Sequence, residues 1–322
     1  MHIPSALKNK IESLANGLSL SLLSRESEGL THAYRSSDYK KNLNLHLSNN
    51  QRLAYLASRF PATYGAVYQV LLETIKRCGQ DPIASLLDIG AGPGTALLAA
   101  VGASLPLCFA TLVEKDPGFI ALGRQLLKEI SPIDARWICQ DVTKELNVEP
   151  HDLVVASYSL NELSEKARSE MVATLWRLTK KILIIIEPGT KPAFELLKKM
   201  REHLILNGAH LIAPCPHSGN CPLKENDWCH FSARIERSSL HRKTKEATLN
   251  YEDEKFSYLI FSKRKIEPVH ARILRHPFKG KGFVKLQLCS KTGLEEKTMT
   301  KKNKLHYSYA KHREWGDDFE CV

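Results

Sequence analysis

Residues 86–95 read Leu86-Leu87-Asp88-Ile89-Gly90-Ala91-Gly92-Pro93-Gly94-Thr95, an apolar run that stops at glycines and reopens as an apolar helix at 96–101. This is the pattern of a strand, a tight turn and a helix N-terminus. Glycines at 90, 92 and 94 let the backbone turn at positive φ and let a ligand approach with no Cβ in the way. The helix beginning near Thr95 points free N–H groups at that ligand. A dinucleotide fingerprint is spaced G-x-G-x-x-G, whereas here the spacing is G-x-G-x-G, with an aspartate two residues before the first glycine. Asp88 would repel a pyrophosphate and suits a ligand with a positively charged amino group.

Further along, Thr111-Leu112-Val113-Glu114 ends a second apolar run in an acid placed to accept two ribose hydroxyls. A third run, 135–139, ends in Gln140-Asp141-Val142, where a side-chain oxygen can receive an adenine amine. The series D-x-G-x-G-x-G, then Glu114, then Asp141 resembles a class I S-adenosylmethionine-dependent methyltransferase. The resemblance makes Asp88, Gly90, Gly92, Gly94, Glu114 and Asp141 the cofactor-binding residues.

The chain has 322 residues, of which 43% are hydrophobic, enough for one large or two ordinary globular domains. No apolar segment reaches the roughly 18 residues of a membrane span. Residues 1–29 lack a signal-peptide apolar core, and Glu12, Glu26 and Glu28 argue against a transit peptide, so a cytoplasmic location is expected. A net charge of +11 and a pI near 9.2 favour an anionic macromolecule as partner, without choosing RNA over DNA or a membrane surface. The 8 cysteines in such a chain are expected as thiols or metal ligands rather than disulfides.

Residues 1–80 carry helical periodicity at Leu7, Ile11 and Leu14 and again over 53–75, around a polar middle at 36–50. Tyr34-Arg35 and Arg59-Phe60-Pro61-Ala62-Thr63-Tyr64 set aromatics and arginines just upstream of the glycine strand. Packing of a helix start at Pro61 and a lining of the cofactor or RNA site are both open for them. From 84 onward strands at 84–89, 110–114, 135–139, 152–157 and 181–187 alternate with helices near 95–103, 117–130, 164–179 and 190–206, which predicts a parallel sheet covered on both faces. Residues 256–262 are expected as a later strand of the same sheet. In 266–322 there are 12 Lys or Arg against 7 Asp or Glu, with turn signals at Pro277, Gly280, Gly282 and Gly293, which reads as a small basic β-rich module.

Ligands of doubly wound sheets sit at strand carboxyl ends, so Tyr158, Asn161 and Glu162 in Ser157-Tyr158-Ser159-Leu160-Asn161-Glu162-Leu163 are the candidate catalytic residues. Glu187-Pro188-Gly189-Thr190, ending the fifth strand, either faces substrate or forms a turn and helix start. An Asn- or Asp-Pro-Pro-aromatic motif for an exocyclic amine is absent. No Pro-Cys nucleophile follows the fourth strand; Pro214-Cys215 falls elsewhere.

Cys215-Pro216-His217-Ser218-Gly219-Asn220-Cys221-Pro222-Leu223 and Asp227-Trp228-Cys229-His230-Phe231 place three cysteines in a turn-rich stretch. They read as a ligand loop, and a four-thiolate site needs one more. Cys289 is the best fourth because Cys78, Cys108 and Cys139 sit in or beside apolar elements; Cys321 is the lesser candidate. Zinc sites favour C-x₂₋₄-C pairs, whereas this spacing is C-x₅-C-x₇-C, and Cys-Pro steps occur in iron–sulfur runs. Spacing leans to iron–sulfur and leaves zinc open. The C-x₃-C-x₂-C of radical enzymes is absent.

Taken together, residues 59–64, the glycine loop, 159–163, 187–190, Cys215 to Phe231 and a late Lys-Gly preceding Cys289 resemble the methyltransferase-like family of small-ribosomal-subunit proteins, over about residues 30–316. The resemblance implies a four-iron, four-sulfur cluster on Cys215, Cys221, Cys229 and Cys289 and association with small-subunit rRNA. The expected architecture is α/β, a Rossmann-like class I methyltransferase sheet. It divides into a helical region at 1–80, a methyltransferase domain at 81–264 with its cysteine loop at 214–231, and a basic module at 265–322 that binds RNA and donates a cluster ligand. Arg272, Arg275, Lys279 and Lys281 are its candidate phosphate contacts. A chain that is monomeric off the ribosome, and either methylates rRNA or serves assembly without turnover, is the functional expectation.

Overall fold

The computed structural model describes residues 1–35, 47–79 and 81–320. The polar stretch at 36–46 and Cys321 lie outside them, as do the side chains of Tyr34 and Arg35.

Four helices come first: α1 (Ser5–Ala15), α2 (Leu20–Arg35), α3 (Asn49–Ser58) and α4 (Phe60–Cys78). Ser48 and Gln51 close a capping box at the start of α3, and Pro61 sits in the first turn of α4, where its missing N–H costs nothing. The chain then alternates β1 (Ser85–Ile89), α5 (Thr95–Gly102), β2 (Phe109–Glu114), α6 (Pro117–Lys128), β3 (Asp134–Cys139), β4 (His151–Ser157), α7 (Glu165–Leu178), β5 (Thr179–Pro188) and α8 (Lys191–Leu206). Each strand lies within two residues of its predicted position.

The remainder holds β6 (His210–Ala213), β7 (Phe231–Glu236), α9 (Ser239–Thr244), β8 (Tyr251–Ser262), β9 (Ala271–Ile273), β10 (Phe278–Gly280), β11 (Phe283–Ser290), β12 (Gly293–Thr300) and α10 (Lys304–Lys311). The large sheet runs β3-β2-β1-β4-β5-β8-β6. Strands β1 to β5 are parallel, and β8 enters antiparallel beside β5. This is the order of class I methyltransferases.

Alternation along each strand divides the core in two. Leu86, Leu112, Val155 and Ile184 pack with α1 to α6 on one face, while Leu87, Val113, Val154 and Ile185 pack with α7 and α8 on the other. The N-terminal helices therefore share a core with the sheet. Residues of β9, β11, α10 and Phe319 form a separate small core in the C-terminal module. Among the described residues no helix is long and apolar enough to cross a membrane.

One irregularity positions the cysteines. Strands β6 and β7 both pair antiparallel with β8, Ala213 opposite Ile260 and Phe231 opposite Phe256. They behave as one strand interrupted by the excursion 214–230, which leaves the sheet and returns four residues along β8. The excursion has neither helix nor strand, as the proline- and glycine-rich sequence predicts.

Candidate functional site

The glycine turn has the conformation its residues allow. Gly90, Gly92 and Gly94 have φ of 72°, 55° and 80°, in the left-handed region that favours glycine. A Cβ at Gly92 would meet nothing within 4 Å, so the loop faces open space there, whereas at Gly90 it would lie 2.7 Å from Ser159 Cβ. Asp88 is fully buried, and neither carboxylate oxygen has a hydrogen-bond partner. Burial pushes its pKa up to about 7 and Glu114 adds to that, while the Ala96 N–H, near but outside hydrogen-bond geometry, opposes it. A buried orphan carboxylate beside an open glycine loop fits a ligand that brings its own cationic donor.

Glu114 is buried at the end of β2 and already accepts two bonds, from Gly92 N and Asp116 N, both 2.8 Å. A carboxylate has about four acceptor positions, so two remain for ribose hydroxyls. Asp141 is exposed, and its Oδ1 accepts from Thr143 N and Oγ1 at 2.8 Å each, closing a turn.

The substrate-facing candidates are held more tightly than the sequence suggests. Glu187, fully buried, accepts from Leu160 N (3.0 Å), Asn161 N (3.2 Å) and the Asn161 side-chain amide, so the end of β5 clamps the loop after β4. Tyr158 has φ of 56° and donates its hydroxyl to Glu254 at 3.1 Å. Among the described residues Glu162 makes no hydrogen bond, and burial raises its pKa to about 7, with Lys115 opposing and Glu114 reinforcing. Of residues 59–64, Phe60 and Tyr64 are core, while the charge of Arg59 acts on Tyr158 and Glu254.

A pH dependence follows. Asp88, Glu162 and Glu187 each have a folded pKa of about 7, raised first of all by burial. Between about pH 4 and pH 7 the native state therefore binds more protons than the unfolded chain. Their contribution to stability is full below the unfolded pKa and lost as pH rises through 7. Thermal melts from pH 5 to 8 are expected to fall, and Asp88→Asn to flatten the fall. A variant with the wild-type slope would show that the Asp88 charge is not what the fold resists.

The cysteines converge. Cys215, Cys221, Cys229 and Cys289 line one cavity, whose wall also carries Arg201, Arg272 and His217. Cys289 Sγ lies 3.9 Å from His217 Nε2. Burial pushes the Cys289 thiol up to about 12, and it raises Cys215 and Cys229 too; neighbouring cysteines add to all three shifts. Among the described residues no group of three or more His, Cys, Asp or Glu side chains stands ready to hold a metal ion.

Two buried arginines fix the loop's backbone. Arg201 of α8 donates to His217 O (2.8 Å) and Gly219 O (2.7 Å). Arg272 of β9 donates to Pro214 O (3.1 Å), Gly316 O (2.7 Å) and Glu73 Oε1 (2.7 Å). The expectation that Arg272 meets phosphate is therefore corrected: it is 2% exposed and spent on protein acceptors. Arg275 pairs with Asp227, and Lys279 with Glu314, while Lys281 is exposed at a turn.

Residues 49–320 match the family described as Mitochondrial small ribosomal subunit Rsm22. The chain belongs to this family. A human relative, ribosome assembly protein METTL17, mitochondrial, is 31% identical over 313 residues, covering 89% of this chain and 66% of its own. Rsm22-cox11 tandem protein 2, mitochondrial, of Schizosaccharomyces pombe is 26% identical over 347 residues, covering 88% and 45%. The chain thus spans less than two thirds of these curated relatives. Similar solved structures include magnesium protoporphyrin IX methyltransferase of Synechocystis with bound S-adenosylmethionine (11% identity, 74% of this chain and 97% of that one, TM-score 0.41). Another is the N-methyltransferase NodS of Bradyrhizobium japonicum (12%, 64% and 98%, 0.42).

In this Rsm22-family chain the sequence pointed to the glycine turn and the thiols but missed Arg201 and gave Arg272 and Glu187 other roles than the tie and the clamp they form. Arg201 sits on the apolar face of α8 between Leu197 and Leu204, both buried. A charge on a buried helical stripe is the signal that was available.

Proposed function

We propose that this chain is an S-adenosylmethionine-binding small-ribosomal-subunit assembly factor, in which a four-iron, four-sulfur cluster clasps the C-terminal module to the methyltransferase fold. The observation that carries the reading is the meeting of four cysteines from segments sixty residues apart in one cavity. Buried thiols whose thiolates would repel one another need a cation to ionise together. A tetrahedral zinc would require thiolates about 3.8 Å apart. A cluster takes each thiolate on a different iron and suits a wider ring. Cys215, Cys221, Cys229 and Cys289 would hold it, with Arg201 and Arg272 offsetting its negative charge. Family membership supports the ribosomal partner. The test is iron and acid-labile sulfide per chain in anaerobically purified protein, together with cosedimentation on immature small subunits. One zinc per chain without sulfide, or no cosedimentation, would overturn the corresponding half.

For the cofactor, Asp88 would meet the ammonium and Glu114 the ribose, the cofactor itself supplying an activated methyl group. Glu114→Ala is expected to weaken binding by at least about tenfold, because a bond to a charged acceptor contributes roughly 1.5 to 3 kcal/mol. Calorimetry with S-adenosylmethionine reads it directly, and unchanged affinity would remove Glu114 as the ribose ligand.

Assembly without methyl transfer is favoured by one specific observation. Asn161 commits its side-chain NH₂ to Glu187 and Tyr158 its hydroxyl proton to Glu254, which leaves Glu162 as the candidate base. Transfer of labelled methyl to rRNA that is lost in Glu162→Gln would establish an enzyme instead.

A further inference from the structure

The β11 strand alternates. Val284, Leu286 and Leu288 face the module's core, and Phe283, Lys285, Gln287 and Cys289 face the other way. At its far end this second face meets the cysteine loop through Cys289 and, directly opposite it on β9, Arg272. Toward the β10–β11 hairpin the same face is open. Phe278 lies opposite Lys285, Gly280 opposite Phe283, and Thr300 and Thr298 opposite Phe283 and Lys285 on β12. Residues directly opposite in an antiparallel pair share a face.

Phe278 is 63% exposed, the most exposed aromatic among the large hydrophobics of the described residues. Its ring centroid is 5.9 Å from that of Phe283, with the planes 37° apart. The Phe283 ring lies over Gly280, where a Cβ would come within 2.4 Å of it. Glycine lets the Phe283 ring lie down on the backbone, so the two tilted rings form a shallow step with the exposed Phe278 ring at its edge. Around it stand Lys281 at the hairpin turn, Lys301 bonded through its backbone N to Gly282 O at 3.0 Å, and Lys285, half-exposed and only 3.8 Å from Glu296. Among the described residues no carboxylate lies within 4.0 Å of the Lys281 or Lys301 ammonium.

We propose that the open face of the C-terminal sheet, centred on Phe278 and Phe283, is a stacking platform for unpaired RNA bases, with Lys281, Lys285 and Lys301 meeting the phosphates on either side. This rests on the rRNA-binding reading and deepens it: the site takes single-stranded RNA. A duplex buries its bases and offers nothing to an exposed aromatic ring, whereas every unpaired base has a face to stack. A protein partner would have to cover isolated lysines as well as the rings, and a net charge of +11 favours a polyanion. The threonine hydroxyls at 298 and 300 are placed to meet base edges or the 2′-OH.

The test uses the full-length chain, a fluorescein-labelled oligouridine and a duplex RNA of equal length, titrated over a salt series. Phe278→Ala is expected to weaken oligouridine binding by about 5- to 100-fold, the range of losing one stacked base. It should leave the salt slope and duplex binding unchanged. Lys281→Ala should instead reduce the log–log slope by about 0.7. Phe278→Tyr, which keeps a π face, should retain near wild-type affinity. If Phe278→Ala binds oligouridine as the wild type does, the platform is refuted, and the exposed ring belongs to a protein contact. An equal loss on duplex and single strand refutes it as well. If the wild-type chain binds neither RNA yet cosediments with small subunits, both the platform and the rRNA reading fail while the ribosomal one stands.

Discussion

Cys289→Ser protein purified without oxygen is expected to be colourless, and its C-terminal module to fall to trypsin while the methyltransferase sheet survives. The wild type should be brown, with broad absorbance near about 400 nm. The loss is large because Cys289 is the thiol that comes from outside the 214–230 excursion. The excursion holds few apolar residues of its own, Leu223 and Trp228 being its large ones, so a bound cluster would contribute much of its folding energy and close a loop of some sixty residues. Cys139→Ser is the control: that thiol is exposed and donates to Lys115 O at 3.7 Å, away from the cysteine cavity. Colour and protease resistance should both persist in it. A brown, intact Cys289→Ser protein would take Cys289 out of the ligand set. A colourless wild type holding one zinc would keep the four-thiol site and replace the cluster.

Arg272→Ala is expected to lower stability by about 3 to 5 kcal/mol, the usual cost of breaking a buried ion pair from one side. That corresponds to a fall in melting temperature on the order of 10 °C. Burial alone would raise the Glu73 carboxyl, but Arg272 and Arg77 outweigh it and hold it below the usual range. Without the guanidinium, Pro214 O is left buried and Gly316 O part-buried without this partner, and α4, the cysteine loop and the segment around Gly316 lose their common tie. Arg272→Lys should recover little, since an ammonium cannot reproduce a fork that meets three acceptors in different directions. Thermal melts and the salt dependence of RNA binding distinguish this from a phosphate contact. The melt should drop while the salt slope of whatever remains folded stays constant. A stable variant with a flattened slope would return Arg272 to the RNA interface.

The glycine turn, the βα alternation and the grouping of three cysteines were legible in the sequence because each depends on local constraints. Positive φ demands glycine at 90, 92 and 94, alternation of apolar runs fixes the strands, and proline with glycine forbids regular structure at 214–230. The C-terminal module was legible as β-rich and basic from its turns and charge. The roles of individual charges were not. Arg272 and Lys281 look alike in a basic tail. Only the pairing of Cys289 with Arg272 across β11 and β9 puts one guanidinium in the interior, while the hairpin leaves the other cation in solvent. Likewise Glu187 ends an apolar strand as any turn residue might, and becomes a clamp because β4 and β5 are neighbours whose carboxyl ends meet. Local chemistry determined which elements form and which residue types can bind; which polar groups are spent on the protein itself was decided by tertiary contacts, since a hydrogen-bond partner distant in sequence leaves no trace in local pattern.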